Sequence, residues 1–447
     1  FIKMERQEIH QQYKVDISQY WNPQKEQYAP VDTTGLFFYE NNLDLLYDYY
    51  GPKGLWLVNR SYVDSRFNVD QIAKSIDHSF LNRVRLRFGL SSPEHAYDFY
   101  MNQMRTANKS VSYVLSESLP AGYVDVYGLR NEVVLHNGPT ERLMRAVSSY
   151  QDEIEQFELV RQLVLAGISS EIEARTRRSK PYERLYQMQN LFNRHFFNRE
   201  NKSTTHLVTL HALHDNDTNE YLEPVINTDY MAYSFPNSEN THVKYHRFQA
   251  RSSNIVGNVL TQPRKKRDEV ALIKAVDKSR RNNGIVDISK HVQDPLGILF
   301  VALDDVENGN NSSRDALYEQ ITNLVSSDVG TELEDDNKIN TNRSSSQSIP
   351  WKRVNVKHSK YEDPVELIFF SAADYINYHF NVGDGSTVAH SLYEVDRSQR
   401  VFTEYFPQQI YNGDSFRGID LQGAMRLKRK EREQMLRQMQ LSQMNDL

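Results

Sequence analysis

The chain has no cysteine in 447 residues, and this absence excludes several chemistries at once. Disulfide bonds, thiolate zinc sites, iron–sulfur ligation and cysteine nucleophiles all need a thiol. The chain also has no long apolar run, because the longest candidates, 297–303 and 365–373, are far shorter than the ~20 residues that span a bilayer. We therefore expect any membrane association to come through a partner protein or a surface helix.

A surplus of basic residues is missing as well. The formal net charge is -6, whereas a general nucleic-acid binder needs a basic surface to neutralise phosphates. The hydrophobic content of 39% and the mean hydropathy of -0.68 are low, which predicts that some segments stay outside the core. Nucleic acid is therefore an unexpected partner. Because the first residue is Phe1 and not Met, we also expect processing or a start inside a longer protein.

Tyrosine, in contrast, is abundant, with 27 residues beside 20 Phe and 3 Trp. Its apolar ring and polar tip suit surfaces that are buried against other proteins. Tyrosines crowd residues 1–60, where no helical or strand period accounts for them and prolines interrupt the chain. This segment is predicted to be an extended arm on a neighbouring subunit, with a loop-rich edge of the main domain as the alternative.

Several patterns predict helices. Ser92-Pro93-Glu94 combines an N-cap, a proline at the first helical position and an acid in the first turn. Apolar spacing predicts a helix from about Thr140 to a stop at Gly167, a restart at Ser170 and a further helix from Pro181. The remaining predicted helices are 268–281 (ended by Asn282-Asn283-Gly284), 314–325, one that starts at Asp363-Pro364 and runs through Ile376, and 421–444.

Strand patterns are shorter. Residues 111–126 alternate like two short strands, 205–213 alternate as well, and 285–288 and 296–303 are typical of buried strands. The expected fold class is therefore α+β, predominantly α-helical, with a helical core, short strands, an extended N-terminal arm and a C-terminal helix. We expect the core to come from 68–200, 268–303 and 363–380.

Composition divides the chain into six segments. They are an extended aromatic-rich arm (1–60), a helical domain (61–200), a mixed strand and loop region with a basic helix (201–303), an acidic low-complexity insertion (304–350), a C-terminal α+β part of the core (351–420) and a basic terminal helix (421–447). The acidic surplus at 301–340 and the basic surplus at 251–281 are expected to attract each other or to face different partners.

The densest set of possible metal ligands consists of His206, His211, His214, Asp215 and Asp217. Imidazoles and carboxylates bind zinc, iron or manganese. In a strand, His206 and His214 share one face and His211 takes the other, so three ligands do not converge. We therefore expect solvated or core histidines, with a metal site as the minority interpretation.

Three other stretches are ambiguous. The glycines of 383–387 suggest a phosphate-binding loop, but the stretch follows a predicted helix and lacks the lysine, so a plain turn is expected. The basic run 263–267 is typical of a localisation or polyanion patch, or of a solvated surface. The terminal helix carries bases with Met435 and Met439 near one side, which suits a protein groove or anionic lipid.

No motif identifies a reaction, so no catalytic, cofactor-binding or metal-ligating residue is assigned and no cofactor is expected. We expect a non-catalytic structural or accessory subunit of a large multiprotein assembly. In composition and in its processed-looking start, the chain is similar to lineage-specific accessory subunits of mitochondrial membrane complexes such as protist ATP synthases or respiratory complexes. That similarity implies other protein subunits as partners, a mitochondrial location peripheral to the inner membrane, and lipid contact through 421–447.

Three alternatives stay open. The first is a metal-dependent enzyme that uses 206–217. The second is a mitochondrial-ribosome or other RNA-associated protein that uses the basic residues of 264–281, and the third is a viral structural protein.

Overall fold

The computed structural model describes residues 39, 42, 69–121, 123, 153–179, 181–215, 221–227, 241–280, 284, 286–287, 296–303, 312–335, 352–380, 390–411 and 421–442. The chain divides into two compact units, each made of three separated stretches. Unit 1 comprises Phe1–Ala174, Arg267–Val292 and Arg397–Met425, and unit 2 comprises Arg175–Lys266, Gln293–Asp396 and Arg426–Leu447. The six segments expected from composition stay a prediction.

The described elements are numbered in chain order. The helices are α1 (Val69–Phe88), α2 (Pro93–Ser118), α3 (Glu153–Ser179), α4 (Pro181–His195), α5 (Asp268–Ser279), α6 (Ser312–Ser326), α7 (Ala372–Phe380), α8 (His390–Arg400), α9 (Phe402–Tyr405), α10 (Gln408–Tyr411) and α11 (Leu421–Ser442). The strands are β1 (Thr204–Asp215), β2 (Tyr221–Asn227), β3 (Thr241–Ser253), β4 (Gly257–Lys265), β5 (Leu296–Ala302), β6 (Thr331–Asp335), β7 (Lys352–His358) and β8 (Tyr361–Ser371).

Helix α2 of unit 1 begins where the sequence predicts. The Ser92 side chain accepts a hydrogen bond from the backbone N–H of His95, and Pro93 occupies the first turn. The helix then continues to Ser118, so the prediction of two strands within 111–126 is wrong for 111–118. Valines at 111 and 114 are both buried at helical spacing, which overrides the local alternation.

Helix α3 contradicts the predicted stop at Gly167 and restart at Ser170, because it is continuous from Glu153 to Ser179. The predicted start near Thr140 lies outside the described residues. Every residue of 157–170 is buried, so packing on all sides offsets the ~1 kcal/mol that a glycine costs inside a helix.

The end of α5 confirms the predicted glycine stop. Gly284 has a φ of +77°, and its N–H donates to the carbonyl oxygen of Ser279 at 3.0 Å. The predicted strand at 285–288 is wrong for Val286 and Asp287, which lie outside any strand. One apolar cluster joins residues of unit 1 that come from all three of its stretches, including Tyr100, Phe157, Leu272 and Tyr405.

Unit 2 is built on an eight-stranded sheet with the order β2-β1-β3-β4-β5-β8-β7-β6. The neighbours β5 and β8 are parallel and the other pairs are antiparallel, so the sheet is mixed. The protein therefore combines helices with a mixed sheet, as the α+β prediction requires, although the sheet is larger than the short strands expected. That the fold is predominantly α-helical stays a prediction.

Strand β8 corrects the helix predicted from Asp363-Pro364. The stretch is a central strand, and its residues 365–371 are all buried. Pro364 is tolerated because pairing with β5 starts only at Glu366, and because the pairing with β7 shifts register between Val356 and His358. The prediction of deep burial was correct. The predicted helix is wrong for 363–371, which belong to the strand, and right for 372–376, which belong to α7.

Strand β5 confirms the buried strand predicted at 296–303. Side chains from helices cover both faces of the central strands. On one face, α4 and α6 pack with the apolar cluster that contains Phe300 and Phe369, whose rings stack at 5.1 Å. On the other face, α7 packs through Tyr375 and Tyr378 against the cluster that contains Phe370. The two parallel strands are thus followed by helices on opposite faces.

The two chain ends are described unequally. The predicted terminal helix is confirmed as α11. Of the predicted arm, only Tyr39 and Asn42 are described, both with helical backbone, and the rest of 1–60 lies outside the described residues. None of the described helices combines the length and apolar content that crossing a membrane requires.

Candidate functional site

Among the side chains that the structure describes, no group of three possible metal ligands comes together, and of the predicted cluster these include only His206. His206 is half-buried on β1, opposite Ala250 of β3. The regular pairing with β3 sets His214 opposite His242 and His211 opposite Tyr245, so His206 and His214 share strand parity as predicted. Asp217 lies outside the described residues, as does the glycine-containing stretch 383–387.

The basic run 263–267 is distributed over both units. Arg264 of β4 forms an ion pair with Glu366 at 3.2 Å, and the ammonium of Lys265 lies 5.9 Å from the centre of the Tyr182 ring. In unit 1, the guanidinium of Arg267 lies 5.0 Å from the centre of the Tyr113 ring. These cations are engaged by the chain's own side chains, which reduces their capacity to bind a polyanion.

Glu366 of β8 is a buried carboxylate, with 3% of its surface exposed. Its two oxygens bind two arginines: Oε2 accepts from Arg264 of β4, two strands away, at 3.2 Å, and Oε1 accepts from Arg353 of the adjacent β7 at 3.0 Å. Gly297 of β5 stands between Arg264 and Glu366 in the register. A Cβ on Gly297 would lie 2.7 Å from the Glu366 carbonyl oxygen, which is too close, so the position between Arg264 and Glu366 requires glycine.

Tyr378 of α7 adjoins this ion-pair network. Burial raises the pKa of Tyr378 to about 12, while the neighbouring Arg264 acts to lower it. The phenol therefore stays protonated at neutral pH. Its ring stacks on His390 at 4.9 Å, and Nε2 of His390 lies 3.6 Å from Glu394. The arrangement holds β4, β8, β7 and α7 together.

A second buried network lies where the parallel strands end. Ser371 closes β8 and caps α7: its Oγ accepts from the N–H of Asp374 and donates to Oδ2 of Asp374 at 2.7 Å. Arg314 of α6 donates to the same oxygen at 3.3 Å. Burial raises the pKa of Asp374, and the Ser371 hydrogen bond and the Arg314 charge oppose that rise.

The position of this second network is the one where α/β sheets commonly bind ligands. The helices that follow β5 and β8 leave to opposite faces, and the carboxyl ends of two strands with that divergence are the usual ligand position. Here Arg314, Ser371 and Asp374 bind one another at that position. These contacts link the first turn of α6 to the first turn of α7.

The third network belongs to unit 1 and centres on Arg161, which is 1% exposed. Its Nη1 donates to the Tyr405 carbonyl oxygen at 2.8 Å and to the Tyr411 hydroxyl at 3.2 Å. The guanidinium lies 4.9 Å from the centre of the Phe406 ring, and Nη2 lies 3.7 Å from a Glu158 oxygen. The cation is thus held mainly by rings, a carbonyl and a hydroxyl.

A different kind of surface lies on α4. Its inner face packs on the sheet, but Tyr182 and Tyr186 are 52% and 64% exposed on the opposite side. Asn193 lies seven residues beyond Tyr186 and is exposed on the same side. We name these three residues the outer face of α4. A cation flanks each end, since Lys265 lies over Tyr182 and Arg251 donates to Asn193.

Comparison with known proteins gives no guide to function, because no protein family, curated protein or solved structure matches the chain.

The sequence interpretation missed all three buried networks. A signal existed for Glu366, because a lone carboxylate inside an apolar run must find a partner when the run is buried. No comparable signal exists for Arg161, whose partner Tyr405 lies 244 residues away.

Proposed function

We propose that the protein is a non-catalytic subunit of a multiprotein assembly and that the outer face of α4 is a contact with a partner subunit. The observation that carries the proposal is the exposure of Tyr182 and Tyr186 on a helix whose other face is already fully packed. Tyrosine and arginine are the residues that most often anchor protein interfaces.

The buried acids support binding over catalysis. A general acid or base must reach a proton on the substrate. Glu366 instead lies between two arginines, and Asp374 is bound by Ser371 and Arg314. Both carboxylates serve the fold, and the surface aromatic residues are the groups that a partner can reach.

A location peripheral to the mitochondrial inner membrane is part of the proposal. It is supported by the composition and by α11, where Arg426, Leu427 and Lys430 are exposed along the helix. A basic helix with an exposed leucine suits anionic headgroups as well as acidic protein surfaces. Fractionation of cells that express the tagged chain tests this location, and recovery in the cytosolic fraction alone contradicts it.

The assembly is tested with the double variant Tyr182→Ser/Tyr186→Ser in the full chain. In extracts of native cells, the wild type is expected in a complex much larger than its own 52.3 kDa, and the variant is expected to elute near its own mass. Tyr97→Ser, at an exposed tyrosine of unit 1, is the matched control and should stay in the complex. A wild-type chain that elutes as a monomer, or a double variant that stays in the complex, contradicts the proposal.

A further inference from the structure

Tyr39 is buried in unit 1 although it comes from the segment where tyrosines signalled a partner surface. Its side chain is 1% exposed, and its ring meets that of Phe157 edge to face at 5.1 Å. Arg161, Tyr405 and Tyr411 are close enough to interact with it electrostatically. The ring therefore completes the aromatic surroundings of the Arg161 network and belongs to the core of unit 1.

Asn42 is fixed at a second point of the same unit. Its Nδ2 donates to the carbonyl oxygen of Gly284 at 2.8 Å, and its Oδ1 accepts from the N–H of Val286 at 3.3 Å. A carbonyl and an N–H two residues apart are the pair that a neighbouring strand would use. The Asn42 amide therefore forms with the backbone after α5 the two hydrogen bonds that the backbone of a paired strand would form.

These two residues have the spacing of a recognition motif. Tyr39 and Asn42 are three apart with helical backbone, so they project from one side of a single turn. The ring enters an apolar and aromatic site, while the amide reads backbone groups through two hydrogen bonds. An anchor in a pocket plus backbone hydrogen bonds is the combination by which domains recognise short peptides.

We propose that unit 1 contains a peptide-docking site whose occupant is the chain's own Tyr39–Asn42 turn, bound as a cis ligand. The walls of the site come from three other stretches: Phe157 and Arg161 of α3, the backbone groups of Gly284 and Val286, and Tyr405 with Tyr411. This part of the N-terminal segment thus binds its own chain. The inference is independent of the outer face of α4, which belongs to unit 2.

The docking site is tested with the full chain carrying a protease recognition sequence inserted after residue 59, cut after folding. The N-terminal fragment is expected to stay bound through size-exclusion chromatography. An excess of a synthetic peptide of residues 34–47 should displace it, whereas the same peptide with Tyr39→Ala and Asn42→Ala should need at least a tenfold higher concentration. A fragment that separates on cutting, or equal displacement by both peptides, overturns the proposal.

A second measurement uses the intact full chain with Tyr39→Ala/Asn42→Ala. Its emptied site should bind the labelled 34–47 peptide at least tenfold more tightly than the wild type, whose own turn competes. Tyr97→Ala, at an exposed tyrosine of the same unit, should bind like the wild type. Equal binding by the double variant and the wild type contradicts the proposal. If the double variant does not fold, the cut wild-type chain alone decides the outcome, because its docking residues are unchanged.

Discussion

The Arg161 network of unit 1 and the Glu366 network of unit 2 bury charge in opposite ways. Unit 1 buries the cation Arg161 among helices, where one carboxylate lies 3.7 Å away and the remaining partners are rings, a carbonyl and a hydroxyl. Unit 2 buries the anion Glu366 in a sheet, where Arg264 of β4 and Arg353 of β7 bind its two oxygens. A sheet sets neighbours at regular spacings, so two opposite charges reach one carboxylate, whereas the helices surround their cation mainly with neutral groups.

This difference predicts how much stability each network loses when a single arginine is replaced. Removing Arg161 takes away a cation that contacts both Glu158 and Tyr411. Removing one of two cations in unit 2 leaves Glu366 with the other. The network of unit 1 is therefore the more vulnerable.

The largest effect is expected for Arg161→Met. The substitution leaves Glu158 buried without its cation, so the free energy of unfolding should fall by about 3–5 kcal/mol in urea denaturation. Arg85→Met on α1 is the control, because the half-buried Arg85 makes only a solvent-exposed hydrogen bond to Asn82, and it should change the free energy of unfolding by less than ~0.5 kcal/mol. A loss below ~1 kcal/mol for Arg161→Met would show that the rings and the carbonyl contribute little.

A smaller effect is expected for each arginine of unit 2. Arg264→Met and Arg353→Met should each lower the free energy of unfolding by about 1–2 kcal/mol, because the other guanidinium still balances Glu366. The double variant should lose at least ~1 kcal/mol more than the sum. Lys357→Met is the control: Lys357 lies on the same strand as Arg353, and the substitution removes only an exposed ion pair with Glu334. Additive losses would mean that the two cations act separately.

The smallest effect concerns alkaline pH. Burial raises the pKa of Tyr378 to about 12, above the ~10 of an unfolded tyrosine. The folded state therefore keeps a proton that the unfolded state releases above pH 10, so stability from this residue is full below pH 10 and is lost as pH rises toward 12. At pH 11 the loss should be about 1 kcal/mol.

Urea denaturation at pH 8 and pH 11 measures this contribution. Tyr378→Phe should lose about 1 kcal/mol less between the two pH values than the wild type does. Tyr186→Phe, on the exposed side of α4, serves as the control and should leave the pH dependence unchanged. If Tyr378→Phe and the wild type have the same pH dependence, Tyr378 does not contribute to the loss of stability at alkaline pH.

Local signals predicted the helix starts well. Ser92 and Pro93 set the beginning of α2, and Pro181 sets that of α4, because capping depends on groups within one turn. The same kind of signal failed at Asp363-Pro364. An apolar run has no period that separates a buried helix from a buried strand, and the strands on both sides of β8 decided the outcome.

The sites were less predictable than the elements, for a physical reason. Glu366 and its arginines are brought together by strand pairing, which joins residues 13 and 102 positions apart. The sequence alone does not show which face of α4 is exposed, because that depends on the packing of the opposite face against the sheet. Abundant tyrosine predicted a partner surface at residues 1–60, which stays a prediction, and Tyr39, the one tyrosine of that segment among the described residues, is buried in the core.

The interleaving of the two units has a consequence for synthesis on the ribosome. The Tyr405 hydroxyl donates to Ser110 across 295 residues, so the core of unit 1 waits for its last stretch for roughly 15–60 s at 5–20 residues per second. All eight strands of unit 2 are made during that interval. A nascent chain that has passed Ser371 therefore holds a complete set of strands while the Arg161 guanidinium still lacks the carbonyl and ring that will enclose it.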